Sequence, residues 1–346
     1  MAASTTYRAV VCTSTGPYSD SLKISERSRA PLEYGQVRLK VLAAGLAFPD
    51  VLVVEGKHIT KRDPPFVPAS EVCGRILELG EGVDGGWAVG DLLFGTTGAG
   101  ALGEEACVYP EGFYKLPSGV DPNIGAGFEL NYGTTYHGLV DIAKLTEGET
   151  LLVLGASGGV GMSAIDIGKA VGANVIACAS TAEKLAACKR AGADVLVNYV
   201  EGDFKKKLKA AGVYGSVDVV YDPVGGKWSE TAMRSLGWGG RLVVIGFASG
   251  GANPKTAIPR IPLNLALLNE RKILGCFWGS WKMQHLDENR ENIDTMMKWV
   301  QSGRLKPVVS KTYSLEHFMG AFDALMSRKV IGKITIAPSV DEKSRL

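Results

Sequence analysis

The sequence predicts an α/β protein of two domains, a doubly wound parallel sheet and a mainly-β domain to which the C-terminal tail returns. Three observations point there. The chain has 346 residues, enough for two domains at roughly 100 to 200 residues each. From Leu151 onward, β-branched apolar runs alternate with helical patterns, as βαβ units do. Before about residue 120, period-two runs are broken by Gly and Pro clusters, which marks an all-β-leaning segment.

Taken in order, the first domain offers Gln36–Val41 and Val72–Leu79 as alternating strands, punctuated by Asp63-Pro64-Pro65 and by the stretch Gly80–Gly90. The second offers six strand-like runs: Leu151–Leu154, Val175–Ala179, Val195–Val197, Val217–Tyr221, Leu242–Ile245 and Ile273–Trp278. Helical patterns fill the first two gaps, Val160–Val171 and Ala182–Ala191, the latter ending in Gly192. Six runs of this kind fit a six-stranded dinucleotide fold. The tail repeats the first style, with a strand at Val308–Tyr313, a helix at Leu315–Arg328 and a strand at Val330–Ile336. A site is expected in the cleft between the domains.

Composition narrows the function. Apolar residues are 46% and charged residues 21%, close to globular averages, so a disordered or fibrous chain is excluded. The 44 glycines exceed the usual roughly 7% and forecast tight turns. Lys plus Arg, 38, nearly balances Asp plus Glu, 36; nothing in that balance asks for nucleic acid or an anionic membrane. The first residues carry no long apolar region, and the most apolar stretch, Leu151–Ser180, is interrupted by Asp166 and Lys169. Neither a signal peptide nor a transmembrane helix is therefore expected. Six scattered cysteines with no CxxC pair suggest a reducing, cytoplasmic setting. Cys107 and Cys178 are expected in the core.

The strongest motif is Leu151-Leu152-Val153-Leu154-Gly155-Ala156-Ser157-Gly158-Gly159-Val160-Gly161, an apolar strand entering a glycine turn that opens a helix. Glycine lets the backbone approach a pyrophosphate, and the helix N-terminus offers it N–H groups and the positive end of a dipole. Ser157, Gly158, Gly159 and Val160 are the candidate contacts. The spacing is GxxGGxG, so its strand–turn–helix setting carries the assignment. The next strand ends Cys178-Ala179-Ser180, without the acid that would hold a ribose 2′-hydroxyl. NADP(H) is expected over NAD(H), with Ser180 donating to a 2′-phosphate and Lys184 neutralising it; a solvated helix lysine is the plain alternative. Tyr199 either brackets the adenosine phosphate or caps its strand. Three further segments fall at strand ends, where open α/β sheets bind ligands: Asp222-Pro223-Val224-Gly225-Gly226, Gly246-Phe247-Ala248-Ser249-Gly250 and Phe277-Trp278-Gly279-Ser280. Gly246, Phe247 and Ala248 are placed against the riboses, and Phe277 and Trp278 near the cofactor, with an ordinary turn as the alternative for each segment and interface core as a further one for Trp278.

Several ordered motifs resemble the zinc-independent medium-chain dehydrogenase/reductase family, particularly its NADPH:quinone oxidoreductase, zeta-crystallin-like branch. They are Ala44-Gly45-Leu46-Ala47-Phe48-Pro49-Asp50, Pro68-Ala69-Ser70-Glu71-Val72-Cys73-Gly74-Arg75-Ile76, Val89-Gly90-Asp91-Leu92-Leu93-Phe94-Gly95, Tyr132-Gly133-Thr134-Thr135-Tyr136, the glycine loop and Gly332-Lys333-Ile334-Thr335-Ile336. The resemblance implies a GroES-like catalytic domain over 1–124 and 307–346, a Rossmann domain over 125–306, NADPH as cofactor, and a quinone or activated alkene as acceptor. It places Phe48 and Asp50 near nicotinamide and acceptor, and Thr134 on the nicotinamide side. Ala47 stands where the family commonly has Asn, and Leu52 and His58 follow where it often has Tyr. His58 is thus a candidate general acid, with a surface-loop histidine as the alternative.

The chain shows no zinc-ligand spacing. Pro68-Ala69-Ser70-Glu71 occupies the stretch where a ligand His would sit, there is no four-cysteine lobe, and His58, His137, His285 and His317 have no ligand pattern. Without a Lewis acid, hydride addition to a quinone or enone suits the site better than alcohol oxidation. The expectation is an NADPH-dependent quinone reductase, with a 2-alkenal or enone double-bond reductase as the alternative and a non-catalytic NADPH-binding role as a third. RNA is disfavoured by the charge balance. The apolar sixth strand is expected to pair with its copy in a homodimer.

Overall fold

The structure, a computed structural model, describes residues 5–250 and 258–338. It divides into two compact units, one made of residues up to Leu130 together with those from Val308 onward, the other of Asn131–Pro307.

The first unit contains strands β1 (Thr6–Cys12), β2 (Leu22–Ser28), β3 (Val37–Leu46), β4 (Glu71–Leu79), β5 (Leu92–Thr96), β6 (Glu105–Val108) and β7 (Phe113–Lys115). The second supplies β8 (Thr150–Val153), β9 (Asn174–Ala179), β10 (Val195–Asn198), β11 (Val217–Asp222), β12 (Leu236–Val244) and β13 (Lys272–Gly275). The chain then returns to the first with β14 (Val309–Tyr313) and β15 (Lys333–Ile336).

In the first unit, β14-β15-β3-β4-β5-β7 form one sheet with β6 also on β3. The tail is woven into it: β15 runs antiparallel to β3, Ile334 opposite Leu46. Every residue of β15 is buried and only one of β3 is exposed, because both faces are covered. Leu39, Leu46, Ile76, Leu93 and Phe113 pack with Phe322 of the helix Phe318–Met326, each contributing roughly 1.5–3 kcal/mol on burial. On β6, Ala106 and Val108 face inward. Cys107 between them is exposed, correcting the expectation of a core thiol: strand alternation turns it outward.

In the second unit all five pairings are parallel, in the order β10-β9-β8-β11-β12-β13. Helices Gly159–Ala170 and Ala182–Arg190 link β8 to β9 and β9 to β10. The direction of winding reverses between β8 and β11, the switch point at which such sheets bind ligands. The core includes Leu152, Leu154, Ile176, Val220, Met233 and Leu242, and Cys178 is fully buried as expected.

Two strand expectations shift. β12 begins at Leu236, six residues earlier than the run Leu242–Ile245 suggests, because Gly237, Gly239 and Gly240 dilute its apolar signal. The sixth strand stops at Gly275. Its ladder to β12 ends with Cys276 N–H donating to the Val244 carbonyl at 3.0 Å, and Trp278 opens a helix, Trp278–Gln284. Among the described residues no helix is long and apolar enough to cross a membrane.

Candidate functional site

In the second unit the site begins where β8 ends. Gly155 adopts φ +58°, a left-handed conformation that glycine tolerates without strain, and a Cβ there would lie 2.8 Å from Val224 Cγ2 of the turn after β11. A Cβ on Gly161 would come within 2.4 Å of the Gly155 carbonyl oxygen, so the helix sits tightly on its own entry turn. Gly158 is the N-cap of Gly159–Ala170, and no side chain caps that end. The opening N–H groups of a twelve-residue helix are thereby left to an anion at the switch point. Ser157 is buried beneath the turn. This cradle fits a dinucleotide pyrophosphate, with Gly158, Gly159 and Val160 along it.

Beside it, the structure brings Ser180, Lys184 and Tyr199 to one end of two neighbouring strands. Lys184 Nζ lies 3.5 Å from Ser180 Oγ, and the Lys184 N–H donates to the Thr181 hydroxyl that caps the helix Ala182–Arg190. Asn198 at the end of β10 pairs with Ala179, which brings Tyr199 beside this corner. Its ring meets Trp228 edge-on, centroids 5.0 Å apart, and its carbonyl accepts the Trp228 indole N–H at 3.0 Å. Both a polar contact and a packing role are thus present in Tyr199.

The later segments divide. Asp222 is buried and acts within its own turn: Oδ1 accepts the N–H groups of Val224 and Gly225, each at 2.8 Å, and Oδ2 accepts the Ser229 hydroxyl at 2.6 Å. Burial raises its pKa, against those three donors. Gly246, Phe247 and Ala248 follow β12, with Gly246 and Ala248 N–H groups bonded to the carbonyls of Asp222 and Pro223; Phe247 and Ala248 remain exposed. Phe277 is exposed and lines an open cavity of about 290 Å³ with His137, Trp281 and His285. Trp278 is buried, and its indole N–H is committed to Asn289 Oδ1 at 2.9 Å.

The segment around Thr134 holds a network that sequence reasoning missed. Thr134 is half-buried and its carbonyl accepts the Cys276 thiol at 3.6 Å. Its neighbour Thr135 is buried, with Oγ1 on the Asn131 carbonyl at 2.7 Å, Ser163 Oγ at 2.7 Å and Tyr221 Oη at 2.9 Å. Tyr132 donates to Asp166 at 2.7 Å. A Cβ on Gly159 would lie 2.7 Å from Asn131 Nδ2. These bonds fix the stretch carrying Thr134 against the glycine-loop helix. The doubled threonine in Tyr132–Tyr136 was the available signal, but which of the two faces inward depends on helix phase.

In the first unit, Phe48 opens the helix Phe48–Val54 with Ala47 at its N-cap. Asp50 reaches back to the Ala47 N–H at 2.8 Å and accepts the Ser70 hydroxyl at 3.1 Å. Asp50 is buried, and desolvation pushes its carboxyl up to about 6, although Lys333, the Ala47 N–H and Ser70 pull the other way and Glu71 adds to the rise. Lys333 and Glu71 form a buried ion pair, and Glu71 also accepts the Leu130 N–H at 2.9 Å. His58 is half-buried on the loop beyond this helix, its Nδ1 accepting the Thr60 N–H at 3.1 Å. Ser70 was not singled out from the sequence, since a lone serine carries no pattern.

Known proteins resemble this chain over most of its length. A profile described as an alcohol dehydrogenase GroES-like domain matches residues 33–126, and one described as a zinc-binding dehydrogenase matches 159–302. Quinone oxidoreductase-like protein 2 of Bos taurus is 32% identical over 332 residues, 96% of this chain and 92% of that one. The chain belongs to the medium-chain dehydrogenase/reductase family, in its quinone oxidoreductase group. An acryloyl-coenzyme A reductase from Sulfurisphaera tokodaii is 29% identical, spanning 88% of this chain and 92% of its own. The quinone oxidoreductase of Thermus thermophilus, solved also in complex with NADPH, is 30% identical with a TM-score of 0.79, covering 95% of this chain and 99% of that one. Medium-chain dehydrogenases/reductases of this group are NADP-binding oxidoreductases, and their pairing of a Rossmann-like with a GroES-like domain is the fold class the sequence predicts. Among the described residues of this member, no group of three or more His, Cys, Asp or Glu side chains is arranged to hold a metal ion.

Proposed function

We propose that this family member is a zinc-independent NADPH:quinone oxidoreductase. The observation that carries the cofactor choice is the corner at the end of β9, where Lys184 Nζ lies 3.5 Å from Ser180 Oγ and the strand ends Cys178-Ala179-Ser180 without an acid. An acid there would repel a 2′-phosphate; a lysine and a hydroxyl attract one.

NADPH, when bound, supplies a hydride. The chain's own residues bind and orient it: the N–H groups opening Gly159–Ala170 hold the pyrophosphate, Ser180 and Lys184 the 2′-phosphate, and Tyr199 the adenosine side. The backbone of Gly246–Ala248 and Phe277 flank the riboses and nicotinamide, Thr134 belongs to the nicotinamide side, and Phe48 and Asp50 serve nicotinamide and acceptor. Orientation of the two reactants is then the main contribution to rate. Pro68-Ala69-Ser70-Glu71 offers no imidazole in the stretch where a ligand His would sit, which supports chemistry without zinc. The exposed edge strand β13 is proposed to pair with its copy in a homodimer, and the protein to act in the cytoplasm.

The similarity to an acryloyl-coenzyme A reductase supports a second reading, reduction of a conjugated double bond. Both are tested by following NADPH oxidation with a simple quinone and with a matched 2-alkenal, beside NADH and with a chelator. Chelator-insensitive, NADPH-selective turnover of the quinone is expected. Turnover of the alkenal alone would replace the first reading with the second, and turnover of neither would remove both.

A further inference from the structure

We infer that Ser70 is the hydroxyl that hands a proton to the oxygen of the reduced acceptor, with Asp50 behind it as the buried carboxyl that replenishes Ser70. The inference rests on the reductase reading and names the proton route which that reading leaves open.

Four features of the first unit support it. Asp50 is buried while Ser70 is only half-buried, so the hydroxyl can meet a ligand that the carboxyl cannot. The two are joined at 3.1 Å, and the other Asp50 oxygen is held by the Ala47 N–H. Ser70 is aimed by strained backbone: Ala69, buried, adopts φ +63°, a conformation that a non-glycine residue keeps only where surrounding structure imposes it. That structure is visible, because the carbonyls of Ala69 and Ser70 accept the N–H groups of Ala101 at 3.1 Å and Thr97 at 2.7 Å.

The groups facing Asp50 also suit a proton store. Lys333 and Glu71 are both near it and paired with each other, the lysine lowering its pKa by more than the glutamate raises it. Burial still dominates, and the carboxyl titrates at about 6, where it both holds and releases a proton near neutrality. His58 lies on the following loop with Nδ1 occupied by the Thr60 N–H.

The step balances. Hydride addition leaves the acceptor with an enolate or phenolate oxygen. In the acid form the Asp50 O–H donates to Ser70 Oγ, reversing their bond; an O–H bond forms on the acceptor as the Ser70 Oγ–H bond breaks, the Ser70 oxygen takes the proton from the Asp50 carboxylic acid, and the carboxylate is reprotonated from solvent back through the half-buried Ser70. The acceptor has gained one hydride and one proton.

The test compares wild type, Ser70→Ala, Ser70→Thr and Asp50→Asn. Wild-type turnover of a quinone or 2-alkenal is measured first, and its absence overturns the reductase reading by itself. The Ser70–Asp50 link is read separately, from pH titration of the carboxylic C=O infrared band. It should be lost in Asp50→Asn and have a higher midpoint in Ser70→Ala; a midpoint that does not move in Ser70→Ala overturns the coupling whether or not the protein turns over. In turnover, Ser70→Ala should lower kcat about 100-fold or more with NADPH affinity unchanged, and Ser70→Thr should recover most of it. In wild type kcat should fall as pH rises through the Asp50 titration, a fall absent from Asp50→Asn. A Ser70→Ala kcat within about twofold of wild type, or a pH profile shared by all four proteins, overturns the relay. If Ser70→Ala fails to bind NADPH, the Ser70→Thr rate and the Asp50→Asn profile decide.

Discussion

A single carboxyl illustrates how far burial can outweigh its partners. Asp50 accepts two hydrogen bonds and lies near a lysine, yet its pKa is raised to about 6. Because the folded protein holds this proton more tightly than the unfolded chain, the acid form's contribution is complete below the ordinary carboxyl range and is lost as pH rises from about 4 to about 6. The difference of about two pH units corresponds to roughly 3 kcal/mol. Asp50→Asn should flatten the fall in chemical-denaturation stability across that window, and an unaltered fall would place the titration elsewhere. Lys184 makes the complementary prediction for binding. Lys184→Ala should weaken NADPH by roughly 1.5–3 kcal/mol, ten- to hundredfold, while leaving NADH unchanged, as read by quenching of protein fluorescence. At this scale the sequence was partly legible. The absence of an acid at the strand end Cys178-Ala179-Ser180 could be read directly, whereas the Asp50–Ser70 and Trp278–Asn289 bonds each join residues on different elements.

Among the elements, the glycine-loop helix sets two effects against each other. Alanine is favoured over glycine within a helix by about 1 kcal/mol, so Gly161→Ala would stabilise the isolated segment. In the folded protein its Cβ would stand 2.4 Å from the Gly155 carbonyl oxygen, and backbone cannot yield as a side chain can. The substitution should therefore lower the thermal midpoint and weaken NADPH at least tenfold; a variant that binds normally would show that the turn can relax. The underlying sheet was legible because parallel strands buried on both faces read as unbroken apolar runs. Its irregular parts were not: β12 hides its first half among glycines, and β13 ends where its partner's ladder ends. The Thr135 hydroxyl network, which joins three elements, is invisible to any local pattern.

For the whole molecule, β13 is an edge strand with Lys272, Ile273 and Gly275 exposed, and unpaired edges invite a partner. Light scattering should give twice the chain mass, and Ile273→Lys should shift it toward one; a monomeric wild type would remove the proposed dimer. The division into two domains could be read from the change in periodicity near Leu151, but no run of residues announces that β15 lies on β3. That pairing has a consequence for synthesis. The ribosome delivers Asn131–Pro307 whole, so the sheet from β8 to β13 can close while translation continues. In the older N-terminal stretch β3 can already pair with β4 and β6, but its Ala44–Leu46 edge stays open until Lys333–Ile336 emerges almost three hundred residues later. Lys333 arrives with that strand to neutralise Glu71. The unit begun first is thus the last to be finished, and a chain cut short before Lys333 would leave that edge of β3 uncovered and Glu71 without its lysine.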